Sequence, residues 1–224
     1  MNSDNVLEAV DLYKFYHASD EETLALRGVS LCVRRGQIVA LKGPSGSGKS
    51  TLLACASGII EPDGGYVRVS GTRITRKTDM ERASIRAAKM GIMLQSDSLF
   101  DQLTVRENLI MKMWLAGNID LSRIAAVSEA LGIGNLLHSL PSRISGGEAS
   151  RAALALAIIT DPDILIADEP TGEVDAETEK QLIKLLESYR AKGGTALIAT
   201  HSDSLAERAD RVIHLRDGRI IDEL

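Results

Sequence analysis

The 224-residue chain is expected to form an α/β structure with three parts: a mostly parallel sheet covered on both faces, an N-terminal antiparallel β lobe and an inserted α-helical sub-lobe. Three features lead there. Apolar runs at Gln37–Lys42, Gly91–Leu94, Ile164–Ala167 and Thr195–Thr200 alternate with helical stretches, and such runs are the strands of a sheet buried on both sides. The opening segment, up to about residue 40, is read as strand and turn, with apolar and polar positions alternating in places. From about Thr104 to Thr160 the pattern is helical.

Taken in order, Val6–Val10 (VLEAV) and Val29–Val33 (VSLCV) have the two-residue period of strands with one buried face. Gln37–Lys42 (QIVALK) reads as a buried strand and Lys49–Ser57 (KSTLLACAS) as the helix behind it. Glu61–Gly65 (EPDGG) is a turn, followed by a short strand at Tyr66–Ser70. Asp79–Lys89 is helical and Gly91–Leu94 a short strand. Thr104–Glu107 (TVRE) has the spacing of a capping box, in which hydroxyl and carboxylate satisfy each other's backbone N–H groups. Ile164–Ala167 is a strand, Ala176–Tyr189 a helix, and Thr195–Thr200 and Val212–Leu215 are strands. Asp217-Gly218 marks a hairpin before a last strand, Arg219–Ile221. No local pattern encodes the strand order.

Composition narrows the function. A net charge of −5 and an aromatic content of 3% offer neither a basic field nor a stacking platform, so nucleic acid is not an expected partner. Cys32 and Cys55, the only cysteines, lie in apolar segments without metal-ligand spacing and read as buried free thiols of a reducing compartment. No apolar run approaches the ~18 residues of a bilayer span, and the N-terminal MNSDNVLEAV lacks the basic stretch and apolar core of a signal peptide. The chain is therefore expected to be soluble by itself, with any membrane link made through a partner.

The chemistry starts at Gly43-Pro44-Ser45-Gly46-Ser47-Gly48-Lys49-Ser50-Thr51, which fits G-x-x-x-x-G-K-[ST] between a strand and a helix. Its glycines free the backbone to turn successive N–H groups inward, and the helix start adds unpaired N–H groups and a positive dipole end. Lys49 brings a full charge for the β and γ phosphates, and the Ser50 hydroxyl suits Mg²⁺. A P-loop NTPase core follows. Ile164–Glu169 (ILIADE) is an apolar strand ending in two acids at the sheet edge where such folds bind ligands. Asp168 there suits the Mg²⁺ shell and Glu169 the general base that polarises water. Arg143–Glu148 (RISGGE) opens a helical run to Ile159: Ser145 is a plausible N-cap, and Gly146-Gly147 exposes N–H groups for a second anion.

Together these residues resemble the ATP-binding subunits of ABC transporters, over essentially the whole chain and in that family's motif order. Ser145-Gly146-Gly147-Glu148 is similar to the LSGGQ signature, with Ile144 for its Leu and Glu148 for its Gln. The resemblance implies that Gln95, after GIML, is the Q-loop glutamine that contacts Mg²⁺ or the attacking water and faces a membrane partner. It implies that Asp175 is the D-loop aspartate and that His201 contacts the γ phosphate. Tyr16 is the expected adenine-stacking aromatic, with Tyr13 as the competitor. Residues 1–224 would form one ATPase domain, its helical sub-lobe at about 97–160. Two copies, expected as a homodimer, would sandwich two ATP molecules and work on an integral-membrane permease at the cytoplasmic face of the inner membrane.

Within the family the chain resembles the branch of lipoprotein release, macrolide and peptide export, and cell-division signalling. A longer loop over Tyr16–Gly28, the LTVREN stretch at Leu103–Asn108 and the ADEPTG wording at Ala167–Gly172 suggest it. Ala149-Ser150-Arg151 departs from the branch's Arg-Gln-Arg, and Gly-Glu-Val-Asp at 172–175 from its Gly-Asn-Leu-Asp. The alternative is the same ATPase driving a non-transporting membrane complex for cell-wall or division control. DNA-acting or ribosome-acting members need long insertions or duplicated domains, and an ordinary P-loop kinase or GTPase needs no signature motif.

Overall fold

The computed structural model describes residues 4–18, 21–94, 99–172 and 174–223. Strands β1 (Asn5–Ala18) and β2 (Glu21–Arg34) pair antiparallel, and β4 (Gly64–Val69) and β5 (Thr72–Arg73) extend the sheet in the order β2-β1-β4-β5. Leu7 and Ala9 of β1 point inward at odd positions, then Leu12 at an even one. The register slips between Ala9 and Leu12, where Asp11 takes φ 50°. One extra residue thus restores the inward face further along the strand. Gly65 (φ 82°) accommodates this bulge: a Cβ there would lie 2.3 Å from the carbonyl oxygens of Val10 and Asp11. Within the segment Tyr16–Gly28, where a longer loop is expected, Tyr16–Ala18 end β1 and Glu21–Gly28 belong to β2, while residues 19–20 lie outside the described residues.

The second sheet joins β3 (Ile38–Lys42), β6 (Met90–Met93), β7 (Ile164–Asp168), β8 (Ala196–Ala199), β9 (Arg211–Arg216) and β10 (Arg219–Glu223) in the order β10-β9-β3-β8-β7-β6. Its pairings are parallel except β9–β10. Every residue of β7 and β8 is buried, because both faces are covered. On one face Ile164, Ile166 and Leu197 meet helix α1 (Lys49–Ala56) and the β lobe through Leu52, Leu53, Leu7 and Val67. On the other, Leu165, Ala167 and Ile198 meet α3 (Val105–Leu115), α5 (Gly146–Ile158) and α6 (Ala176–Ala191). The two-residue period of a strand is therefore read by two cores at once.

Helix α2 (Asp79–Lys89) precedes β6, α4 (Ser122–Ala130) lies between α3 and α5, and α7 (Asp203–Ala206) follows β8. The helical middle resolves into α3, α4, two 3-10 turns and α5. Thr104 and Glu107 form the expected capping box, and Thr78 and Glu81 form a second one at α2. Buried Asn108 receives the N–H of Phe100 and donates to the carbonyls of Phe100, Leu103 and Thr104, fixing the turn before α3. Cys55 is buried, with its thiol pushed up to about 12 by desolvation, whereas Cys32 is only half-buried.

Candidate active site

The C-terminal ends of β3, β7 and β8 lie side by side, and each hands over one part of the site. The phosphate loop leaves β3, Asp168 closes β7, and His201 follows β8. Asp168 pairs in register with Ala199, and the N–H of Glu169 donates to the Ala199 carbonyl at 2.9 Å. The parallel order alone thus brings residues 43–49, 168–169 and 201 together.

The loop is shaped by what stands behind it. A Cβ on Gly43 would lie 2.1 Å from the carbonyl oxygen of Leu215, and one on Gly48 (φ 104°) 2.6 Å from that of Ala25. The N–H of Gly218 donates to the Ser47 carbonyl at 3.0 Å. Strand β2 and the β9–β10 turn therefore press the loop against α1. Pro44, Ser45, Gly46 and Ser50 are exposed, Thr51 is half-buried at the first turn of α1, and Ser47 is buried with its hydroxyl lacking a hydrogen-bond partner. A buried, unsatisfied donor in this loop matches an anionic ligand.

Lys49 is 7% exposed, and its ammonium donates to the carbonyls of Gly43 (2.8 Å) and Pro44 (3.2 Å). The same nitrogen lies 3.4 Å from His201 Nε2. An ammonium cannot accept, so this contact is a hydrogen bond only when Nε2 is unprotonated. Glu169 Oε2 accepts from the His201 N–H at 3.0 Å, and Oε1 lies 3.5 Å from Nε2. Glu169 sits in the left-handed region at φ 49°, which costs energy for a residue with a Cβ. That conformation turns its carboxylate from the end of β7 toward His201. Asp168 is buried.

A second group forms around the start of α5. Ser145 caps the helix in a reciprocal box with Glu148, whose carboxylate receives the Ser145 N–H at 2.8 Å. Asp175 caps α6, accepting from the N–H groups of Glu177 (2.9 Å) and Thr178 (3.0 Å) and from the Thr178 hydroxyl (2.8 Å). These bonds, the backbone N–H groups first, hold both carboxyls below their ordinary range. Their contribution is therefore present above the ordinary carboxylate pKa and lost as pH falls through the lowered one. Gly147 lies against α6: a Cβ there would meet Thr178 Cγ2 at 2.9 Å. Gly146 is exposed at the tip of this turn.

Among the described residues, no hydrogen bond or ion pair links Ser145, Gly146 or Gly147 directly to Lys49, Glu169 or His201. Gln95 lies outside the described residues. Tyr13 is as exposed as Tyr16 but lies over two glycines, its hydroxyl 2.8 Å and its Cδ2 3.2 Å from where a Cβ would stand on Gly28 and Gly64. Tyr16 has an exposed ring with Lys14 Nζ 5.9 Å from its centre. Sequence reasoning missed Leu215, Gly218 and Ala25 as the loop's backing, and Thr178 beneath the signature turn. The first three act through backbone atoms, which carry no residue-type signal.

The family model described as ABC transporter matches residues 26–172. The chain is 37% identical over 221 residues to the lipoprotein-releasing system ATP-binding protein LolD of Geobacter metallireducens, covering 97% of this chain and 98% of that one. It is 35% identical over 222 residues to the macrolide export ATP-binding/permease protein MacB of Hyphomonas neptunium, covering 97% of this chain and 34% of MacB. The dimeric structure of MJ0796, a bacterial ABC transporter cassette, aligns with a TM-score of 0.92 at 29% identity over 97% of both chains. MJ0796 is also known as a dimer in a post-hydrolysis state with ADP and Pi, which aligns at a TM-score of 0.91, with 28% identity and 97% of both chains covered. The chain belongs to the ABC transporter family, of which it is an ATP-binding, ATP-hydrolysing member.

Proposed function

We infer that this chain is the ATPase subunit of a membrane complex, powering a permease of the lipoprotein-release or macrolide-export kind. It would act as one ATPase domain over residues 1–224, with residues of about 97–160 as its helical sub-lobe. The observation that carries the reading is the separation of two groups. His201 contacts both Lys49 and Glu169 at the strand ends, while Ser145–Gly147 forms a capped helix start elsewhere, with Ser145 and Gly146 exposed. Each protomer then holds one part of a nucleotide pocket, and a second copy supplies the rest. Complete motifs in one chain support a homodimer with two equivalent sites.

In this reading residues 43–51 hold the phosphates by backbone N–H groups, and the Lys49 ammonium leaves the carbonyls of Gly43 and Pro44 for the β and γ oxygens. Tyr16 stacks on the adenine. Ser145, Gly146, Gly147 and Glu148 of one copy, with Asp175 at the interface, close the site of the other. Ser50 and Asp168 are hard oxygen donors that fit Mg²⁺, an ion that takes one or two protein oxygens beside phosphate and water; Gln95 is proposed as a further contact. When bound, Mg²⁺ would neutralise charge on the β and γ oxygens. Glu169 removes a proton from water as its oxygen attacks the γ phosphorus, ADP leaves, and the His201 side chain steadies the transferred group. ATP, contacting both copies only when they close, drives association, and hydrolysis releases it.

No helix among the described residues is long and apolar enough to cross a membrane. The proposed position is therefore peripheral, at the cytoplasmic face of the inner membrane through the permease. Affinity purification of the tagged chain from detergent-solubilised membranes, followed by mass spectrometry, tests this. An integral-membrane protein is expected in stoichiometric yield. Recovery of the chain alone, even after cross-linking, would refute the permease partner.

A further inference from the structure

At the N-terminal edge of the parallel sheet, opposite the phosphate loop, lies a cavity of about 510 Å³, a size common for small-molecule sites. Arg35 precedes β3 there, Asp161 and Asp163 precede β7, and Lys192 and Gly194 precede β8. The five-residue strands β3 and β7 set this edge roughly 16 Å from the catalytic one. Val127 and Leu131 at the end of α4, Ile158 of α5 and Leu185 of α6 give the cavity an apolar wall. Tyr189 lines it too, its ring lying over Gly194, where a Cβ would stand 2.4 Å from Cε1. Its hydroxyl is buried and hydrogen-bonds to no group among the described residues. Desolvation, then the charge of Asp161, pushes the phenol up to about 12, so it keeps its proton at neutral pH. The Thr195 backbone acts in the opposite sense, as a donor, and offers that proton no acceptor.

The carboxylates of the cavity are already engaged. Asp161 lies 3.7 Å from Arg123, whose Nε also donates to the Ile159 carbonyl at 2.8 Å, and Asp163 accepts from the Ser70 hydroxyl at 2.6 Å. Arg35 and Lys192 are exposed, and neither side chain has a partner among the described residues. Lys192 follows Tyr189 by three residues, the spacing of neighbours on one helix face. Arg35 is brought alongside by Gly36, whose N–H donates to the Thr195 hydroxyl at 2.9 Å. The uncommitted charges here are thus both positive, and the phenol adds a donor. We propose that this cavity binds a small amphipathic carboxylate, its charged end on Arg35, Lys192 and the Tyr189 phenol and its apolar body on Val127, Leu131, Ile158 and Leu185. Charge complementarity selects the anion, because a cation would meet Arg35 and Lys192. Occupancy of this site is independent of how the nucleotide pocket is completed.

The test is titration calorimetry of the full chain with decanoate as the probe and decyltrimethylammonium as the cation of equal chain length, both below their micellar range. Decanoate is expected to bind saturably at one site per chain with a Kd of about 0.1–1 mM. Decyltrimethylammonium should bind at least about tenfold more weakly. Saturating ATP, bound at the far edge of the sheet, should change decanoate affinity by no more than about twofold. Because Arg35 and Lys192 are exposed, Arg35→Gln/Lys192→Gln keeps the fold, and it should weaken decanoate about tenfold. Tyr189→Phe removes a hydroxyl that has no partner in the protein, so Tm should hold while decanoate binds about three- to tenfold more weakly. Ala130 is exposed on the rim, where Ala130→Glu should weaken decanoate and Ala130→Lys should not. Absence of a saturable heat, equal binding of the cation, or unaltered affinity in Arg35→Gln/Lys192→Gln and Ala130→Glu would overturn the proposal. Displacement of decanoate by ATP would overturn it too, since the probe would then occupy the nucleotide pocket.

Discussion

Glu169→Gln is expected to bind ATP with unchanged affinity and to lose about 10²- to 10⁴-fold in turnover, the range supplied by a positioned general base. The geometry explains why the two effects should separate. The amide oxygen of glutamine can still accept the His201 N–H that Glu169 Oε2 receives at 3.0 Å, so the end of β7 and the segment after β8 stay in place. Glutamine also adopts the φ of 49° at a cost close to that of glutamate. Only basicity is removed. Nucleotide binding is measured by equilibrium titration and turnover by phosphate release. Undiminished phosphate release would show that another group takes the proton.

Lys49→Ala should fail earlier, at binding. Its ammonium is the buried positive charge at the mouth of the loop, and charge-assisted hydrogen bonds contribute about 1.5–3 kcal/mol each. Affinity for ATP should therefore fall by about 10- to 100-fold, with hydrolysis at limiting ATP falling at least as far. Lys49→Arg should not rescue it, because the pocket is bounded by the Gly43 and Pro44 carbonyls and the His201 ring, which a forked guanidinium exceeds. A titration calorimetry isotherm matching that of the unaltered chain would contradict the role given to Lys49.

Much of this site was legible in the sequence because its parts are local. A strand, a glycine loop and a helix occupy consecutive residues, and the acids of Ile164–Glu169 end a buried run, so spacing alone locates them. The Asp79–Lys89 helix is also local, and α2 has those limits. What spacing does not hold is the sheet order. Ile38 pairs with Ala196 and Val39 with Arg211, contacts decided by packing of the whole core. The β1–β2 hairpin was hidden for another reason. Over Thr23–Gly28 Leu26 alone is buried, so the alternation that marks a half-buried strand is weak there. Asp175 shows a third limit. The resemblance implies that it is the D-loop aspartate, and no residue pattern showed that its carboxylate accepts three hydrogen bonds in capping α6.

The most direct test of the divided pocket is ATP turnover per protomer followed down a dilution series, with molecular mass recorded at each concentration. Turnover should fall with the dimer fraction and approach zero where only monomer is present. A constant rate per protomer in strictly monomeric samples would mean that a single copy contains the whole catalytic site.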